Sequence, residues 1–161
     1  MYKRIVVPLD GSKLAECVLP HVETLAKSCG PEEIFLISVT EHITGYAPAA
    51  RPEQRIGFAE PIDKVSLSVG RQQRQAERYL ARIAKQLKRK KIDVETEVLL
   101  GNPAEKIISF TNDRGADLII MATHGRSGIS RWAHSIGAFG GVADKVIRAS
   151  SVPVLLVRAS V

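Results

Sequence analysis

The stretch that decides the fold covers residues 118–141 and begins Leu118-Ile119-Ile120-Met121-Ala122-Thr123-His124-Gly125-Arg126-Ser127-Gly128. Its first four residues are all apolar, which is typical of a strand buried on both faces of a parallel sheet. The small residues that follow allow a backbone to approach a ligand closely, and Gly140-Gly141 precede a predicted helix whose first N–H groups are unpaired. The pattern therefore predicts a phosphate cradle, although a loop with a few glycines is equally typical of an ordinary surface loop.

Strands and helices alternate along the whole chain. The predicted strands cover 3–9, 34–40, 94–100, 118–122 and 152–157, and the predicted helices cover 12–28, 65–91, 103–114 and 142–149. This alternation predicts a parallel sheet with right-handed crossovers and helices on both faces. Pro20 lies inside the first predicted helix, where a proline kinks the axis. The alternating third strand predicts a sheet edge, and Pro153 lies near the start of the last strand.

Length and composition are those of an ordinary globular protein. The 161 residues are 45% hydrophobic and 25% charged, which predicts one domain over residues 1–161. No apolar run approaches the roughly 20 residues of a membrane span. The apolar run that follows Lys3-Arg4 is too short for a signal peptide. Cys17 and Cys29 fit no metal spacing, so we expect reduced thiols in a cytoplasmic protein.

The formal charge of +6 comes from a basic stretch between Arg71 and Lys91. A basic balance is compatible with nucleic acid or another anionic partner. Aromatic content is only 5%, so the composition favours a solvated helix face over a nucleic-acid surface.

Unusual residues follow three of the predicted strands. Pro8-Leu9-Asp10, Val39-Thr40 and the glycine loop all come where a strand ends. Ligands of parallel α/β sheets bind outside these carboxyl ends, where the strand order reverses. Asp10 could equally stabilise the start of the helix that follows it. His124 has no visible nucleophile or base partner, so we interpret it as a loop residue, and no metal site or catalytic residue is predicted.

Two segments have no regular pattern. Residues 41–62 contain several prolines and glycines, which predicts a functional or mobile loop. Residues 129–140 are predicted to form an extended loop inside the glycine-rich region.

Four runs together resemble the universal stress protein family: Val7-Pro8-Leu9-Asp10-Gly11-Ser12, the run 117–128, Val142-Ala143-Asp144-Lys145-Val146 and the run 152–157. The resemblance covers essentially the whole chain. It implies a five-stranded parallel sheet of order 3-2-1-4-5 with helices on both faces, a Rossmann-like, adenine nucleotide alpha hydrolase-like fold. It also implies a cytoplasmic homodimer that acts in the stress response, formed through the last strand. The implied dimer residues are Val152, Val154, Leu155, Leu156 and Val157.

One branch of that family binds ATP through a Gly-x2-Gly-x9-Gly-Ser/Thr pattern. By this resemblance Asp10 would contact the ribose or adenine side, and Pro8 and Val39 would line the base pocket. The implied nucleotide-binding residues are Pro8, Leu9, Asp10, Val39, Met121, Ala122, Thr123, His124, Gly125, Arg126, Ser127, Gly128, Gly140, Gly141, Val142 and Ala143. The implied ligand is ATP or AMP, with Mg²⁺ as an optional companion ion. The most enzymatic activity that the sequence allows is slow ATP hydrolysis.

The chain departs from the ATP-binding pattern at three places. Ala122 stands where the pattern has its first glycine, and Gly141 stands where it has a hydroxyl residue. Fourteen residues, rather than nine, separate Gly125 from Gly140, and the surplus lies in residues 132–139. Two interpretations therefore stay open: a nucleotide-binding regulator, or a nucleotide-free interaction protein that works through its dimer surface.

Overall fold

A computed structural model describes residues 1–41, 62–123 and 141–159, except for the side chains of 62–67. The strands are β1 (Arg4–Pro8), β2 (Glu33–Thr40), β3 (Glu95–Leu100), β4 (Leu118–Thr123) and β5 (Val154–Arg158). The helices are a short 3-10 helix (Ala15–Val18), α1 (Leu19–Cys29), α2 (Ile62–Arg89), α3 (Pro103–Asp113) and α4 (Val142–Ala149). Each predicted element is present, most of them shifted by one to three residues at an end.

The five strands form one parallel sheet in the order β3-β2-β1-β4-β5. This confirms the expected order and the edge position of β3. β2 pairs along the whole of β1, from Arg4 with Glu33 to Pro8 with Ile37. On its other side β1 pairs with β4, so the winding of the chain reverses between these two central strands.

Each face of the sheet is covered by two helices because successive strand residues point to opposite sides. On one face α1 and α2 pack on side chains such as Ile5 and Leu36. The stripe of α2 that meets them centres on Leu80, Ile83 and Leu87, which are fully buried. On the other face α3 and α4 pack on β1, β2 and β4. Burial of each such aliphatic side chain stabilises the fold by about 1.5–3 kcal/mol.

The segment after β1 differs from its prediction. A continuous helix from Ser12 with a kink at Pro20 was expected, but the chain forms the 3-10 helix (Ala15–Val18) and then α1 (Leu19–Cys29). Pro20 thus lies in the first turn of α1. A proline there costs nothing, because the first N–H groups of a helix have no partner within it.

The last strand also differs from its prediction. β5 begins at Val154 rather than at Val152, so Pro153 precedes it. Proline has no N–H to donate to a ladder, but the Pro153 carbonyl accepts a hydrogen bond from the Ile119 N–H at 3.0 Å. Val152 and Val154 pack against the α3–α4 core and Val157 is buried in the other core. These three side chains therefore stabilise the fold of one chain, and their predicted part in a dimer surface stays a prediction.

Asp117 ties the start of β4 to the start of β1. Its carboxylate accepts hydrogen bonds from the backbone N–H groups of Lys3, at 2.8 Å, and of Arg4, at 3.2 Å. We expect Asp117→Ala to lower the free energy of unfolding by about 1–3 kcal/mol, because two backbone donors lose a charged acceptor. Urea denaturation of this variant measures the change. The matched control is Asp93→Ala at an exposed position; an equal loss there would contradict the assigned role.

Candidate functional site

The ladder between β1 and β4 ends early, and we call the place beyond its end, at the carboxyl ends of these two strands, the crevice. The two strands pair only at Ile5 with Leu118 and at Val6 with Ile119. Beyond this point β1 stays with β2, and the Leu9 N–H still donates to the Ile37 carbonyl at 2.8 Å. β4 stays with β5 as far as Thr123. This is the place where the strand order reverses, and ligands of open α/β sheets bind there.

Asp10 borders the crevice on the β1 side. Leu9 is buried and anchors the end of the strand, whereas Asp10 is exposed. Asp10 Oδ1 accepts a hydrogen bond from the Ser12 N–H at 2.9 Å, and Gly11 between them has φ of +84°. The Ser12 hydroxyl then accepts from the Ala15 N–H at 3.1 Å. Asp10 therefore holds the turn into the 3-10 helix, and a carboxylate retains further lone pairs for a ligand.

Val39 and Pro8 lie at the same end of the sheet. Both side chains are half-buried. Val39 pairs in register with Leu99 of β3, and both pack against the α3–α4 core. Thr40 follows, and its carbonyl accepts from the Gly101 N–H at 3.0 Å. The carboxyl end of β2 is thus fixed, with Val39 only partly covered by the core.

The three residues at the end of β4 have different surroundings. Met121 is buried in the core under α3 and α4, so its side chain serves packing. Ala122 is half-buried and packs against the opposite core. The Thr123 carbonyl accepts a hydrogen bond from the Ala159 N–H at 3.1 Å, beyond the end of β5. At the end of β4 the side chains of Ala122 and Thr123 are thus partly exposed, whereas the Met121 side chain lies in the core.

Gly141 caps the N-terminus of α4 and is exposed. Its φ of −56° and ψ of 176° are open to any residue, and no side chain among the described residues caps the first N–H groups of the helix. Val142 is 39% exposed, whereas Ala143 packs on the core. Asp144 in the first turn already places a negative charge near the helix dipole, which reduces the attraction for a phosphate. Arg148 offsets part of that charge through a 2.9 Å ion pair with Asp144.

The remaining predicted contacts lie outside the described residues. They are His124, Gly125, Arg126, Ser127, Gly128 and Gly140. The predicted loops 41–62 and 129–140 also fall there, apart from Glu41 and from Ile62, which begins α2.

Tyr79 is a candidate that the sequence did not single out. Its phenol oxygen is buried and has no hydrogen-bond partner among the described residues. The guanidinium of Arg82 lies 5.3 Å from the centre of its ring and pairs with Glu16 at 2.7 Å. Burial, together with the nearby carboxylates of Glu16 and Asp10, raises the pKa of Tyr79 to about 12 against the opposing effect of the Arg82 guanidinium. A neutral hydroxyl with an unused donor thus lies within the electrostatic reach of Asp10.

Tyr79→Phe tests the state of this hydroxyl. We expect the variant to be at least as stable as the wild type, because an unpaired buried hydroxyl costs about 1–3 kcal/mol. The tyrosinate absorbance that appears near pH 12 should disappear with the substitution. The raised pKa means that the native state holds the Tyr79 proton more tightly than the unfolded state does. This difference adds to the free energy of unfolding in full below pH 10, and the contribution is lost as the pH rises from 10 to about 12. A variant clearly less stable at neutral pH would show that the hydroxyl has a partner.

The chain belongs to the universal stress protein family, because the sequence model of that family matches residues 1–158. It is 30% identical to Universal stress protein MJ0531 of Methanocaldococcus jannaschii, covering 98% of this chain and 83% of that protein. It is also similar to the structure of MJ0577 from the same organism, with 28% identity, a TM-score of 0.75 and coverage of 99% and 98%. The structure of a universal stress protein from Archaeoglobus fulgidus in complex with dAMP shares the fold, with 19% identity, a TM-score of 0.61 and coverage of 96% and 97%.

Neither a membrane helix nor a metal cluster is found in the described part of the chain. No helix in it is long and apolar enough to span a bilayer. Within the same residues, no three potential metal-ligating side chains come together.

Proposed function

We propose that this protein binds an adenine nucleotide, ATP or AMP, in the crevice between β1 and β4. The observation that carries the proposal is the early end of the β1–β4 ladder, with Asp10 on one side of the gap. Membership of the universal stress protein family supports it, and so does the dAMP complex of the Archaeoglobus fulgidus relative. In this proposal the protein acts as a homodimeric regulator in the stress response, in the cytoplasm.

The proposed binding mode divides the nucleotide between the two sides of the crevice. Asp10 accepts hydrogen bonds from the ribose or adenine, next to Pro8 and the exposed part of Val39. The phosphates meet the N–H groups at the start of α4, from Gly141 to Ala143, which carry no side-chain cap and therefore fit an anion. Mg²⁺ would neutralise phosphate charge close to Asp144. No general base is identified, so the proposed role is regulation through binding rather than catalysis.

Calorimetric titration with ATP and with AMP tests the proposal. We expect saturable binding by the wild type and a loss of about 10- to 100-fold in affinity for Asp10→Ala, because a hydrogen bond to a charged group contributes about 1.5–3 kcal/mol. The matched control is Asp93→Ala, which removes the same exposed carboxylate before β3, at the opposite end of the sheet. The proposal fails if neither nucleotide gives heat at millimolar concentration with the folded wild type.

A nucleotide-free interaction protein is the second candidate. Gly141 offers no hydroxyl to a phosphate, while Leu155 and Leu156 on β5 are 37% and 36% exposed. These observations favour a protein that works through its dimer surface. Mass spectrometry of ligands released from the purified protein separates the two candidates: adenine nucleotide in the released fraction supports the first, and its absence together with silent calorimetry supports the second.

A further inference from the structure

Six cations form a basic stripe along the outer face of α2: Arg71, Arg74, Arg78, Lys85, Lys88 and Arg89. All six are exposed. Most are three or four residues apart, which places them on one side of the helix, opposite the buried Leu80, Ile83 and Leu87. The stripe is held rigidly because that opposite side is fixed in the core.

The positive charge of the protein is concentrated on this helix. Ten basic and two acidic residues fall between Ile62 and Lys91, a net charge of +8 against +6 for the whole chain. The rest of the chain is therefore slightly acidic. A field of one sign on one face steers an anionic partner to that face.

The stripe residues form no ion pair among the described residues. The ion pairs that α2 and the turn after it do make involve Arg82 with Glu16 and Lys90 with Glu23, at the sides of the stripe. From residue 68 onward, Glu77 is the acidic residue of α2, and its side chain accepts a hydrogen bond from the Gln73 side chain. Like charges three and four residues apart destabilise a helix, so the arrangement carries a cost that no contact within the described chain offsets.

We propose that the basic stripe binds the phosphate backbone of double-stranded nucleic acid without reading its sequence. This departs from the solvated helix face that the low aromatic content favours, because contacts to duplex phosphates do not need aromatic stacking. Four of the six cations are arginines, whose planar fork suits phosphate. Arg71 and Arg89 are separated by about 27 Å along a straight helix, which spans several phosphates at roughly 3.4 Å of axis per strand. This surface is independent of the nucleotide crevice and does not rest on the proposed function.

The neighbours of the stripe argue against other anionic partners. Single strands are held by stacking on exposed aromatic rings, but the ring of Tyr79 packs against the core. Bilayer surfaces are held by apolar side chains that insert beside the cations. From residue 68 onward, α2 exposes no large apolar side chain.

Fluorescence anisotropy with a labelled duplex of about 24 base pairs, in about 50 mM salt, tests the proposal. The stripe variant is Arg74→Gln, Arg78→Gln, Lys85→Gln. The matched control is Lys13→Gln, Lys27→Gln, Lys106→Gln, which removes the same charge at exposed positions elsewhere. We expect the stripe variant to bind at least about 10-fold more weakly than the wild type and the control within about 2-fold of it. The slope of log K against log salt should flatten by about 3, one unit per removed cation.

Thermal unfolding keeps the experiment interpretable. We expect the stripe variant to unfold at the same or a higher temperature than the wild type, because like-charge repulsion is relieved. Equal losses for the stripe variant and the control would overturn the proposal, since net charge alone would then explain binding. Three further results would overturn it: no duplex binding by the wild type, equal affinity for a single-stranded oligothymidine, or preference for phosphatidylserine vesicles over the duplex.

Discussion

We expect the wild type to sediment as a dimer and the double variant Leu155→Glu, Leu156→Glu to sediment as a monomer at the same concentration. β5 is an edge strand, which presents unpaired backbone groups, and these two leucines are its exposed apolar side chains. A two-fold interface repeats each substitution, so four carboxylates would meet where four leucines would otherwise be buried. Each leucine is only about a third exposed in the single chain, so its burial at the interface contributes roughly 0.5–1 kcal/mol. Loss of all four, before repulsion, predicts dimerisation weakened by roughly 30- to 1,000-fold. Sedimentation velocity across a concentration series measures it.

The other edge of the sheet provides the control. Leu100 ends β3 and is 39% exposed, close to the values for Leu155 and Leu156. Leu100→Glu should therefore leave the dimer intact if β5 is the interface. A wild type that sediments as a monomer at micromolar concentration contradicts the proposal. Dissociation of the Leu100→Glu variant to the same extent would move the interface away from β5.

The choice of these two leucines depends on the structure. The sequence shows a nearly continuous apolar run from Val152 to Val157, in which every residue is an equal candidate for an interface. Val154 and Val157 turn out to pack on opposite cores of their own chain, so a charge at either would unfold the protein rather than dissociate it. Successive residues of a strand point to opposite faces, so the inward-pointing side chains depend on where the strand begins. β5 begins at Val154, directly after Pro153, rather than at the predicted Val152.

The central strands could be predicted because parallel strands that are buried on both faces have unbroken apolar sequences. Ile5-Val6-Val7 and Leu118-Ile119-Ile120 are fully or almost fully buried in the structure. The long stripe of α2 was predictable for the same reason, since its period matches a helix. The 3-10 helix could not be predicted, because the local pattern from Ala15 to Val18 fits either helix type. In the structure the 3-10 helix lies between the turn made by Asp10 and Ser12 and the start of α1 at Leu19.

The candidate site was only partly visible in the sequence. Asp10 could be found because it directly follows a strand, whereas the hydrogen bond by which its carboxylate holds the turn is visible only in the structure. The packing role of Met121 could not be predicted from the sequence, because the sequence does not show which way a side chain at the end of a strand points. In the sequence, Tyr79 lies next to Leu80 within the apolar period of α2, so the pattern indicates a packing residue. The feature that could have drawn attention to Tyr79 is its hydroxyl, because a buried hydroxyl either has a hydrogen-bond partner or stays unsatisfied.

Gly141→Ser is expected to strengthen nucleotide binding by about 10- to 150-fold, because one hydrogen bond to a charged phosphate contributes about 1.5–3 kcal/mol. The site accepts the change: a Cβ atom added at Gly141 meets nothing within 4 Å, and its φ of −56° suits any residue. Serine is also a better N-cap than glycine by a few tenths of a kcal/mol, so α4 should not be weakened. Calorimetry with ATP and AMP measures the affinity, and urea denaturation checks the fold.

Gly141→Ala is the matched control, because it adds the same Cβ atom to the same open space without the hydroxyl. If the gain comes from a hydroxyl that reaches a phosphate, it should appear for serine alone, and it should be larger for ATP than for AMP because ATP carries more charge at that end. The negative charge of Asp144 in the same turn opposes the phosphates, so Asp144→Asn should add to the gain without replacing it. An unchanged affinity for the serine variant, with the wild type binding nucleotide, would show that the phosphates do not lie at the start of α4 and would move them to another part of the crevice.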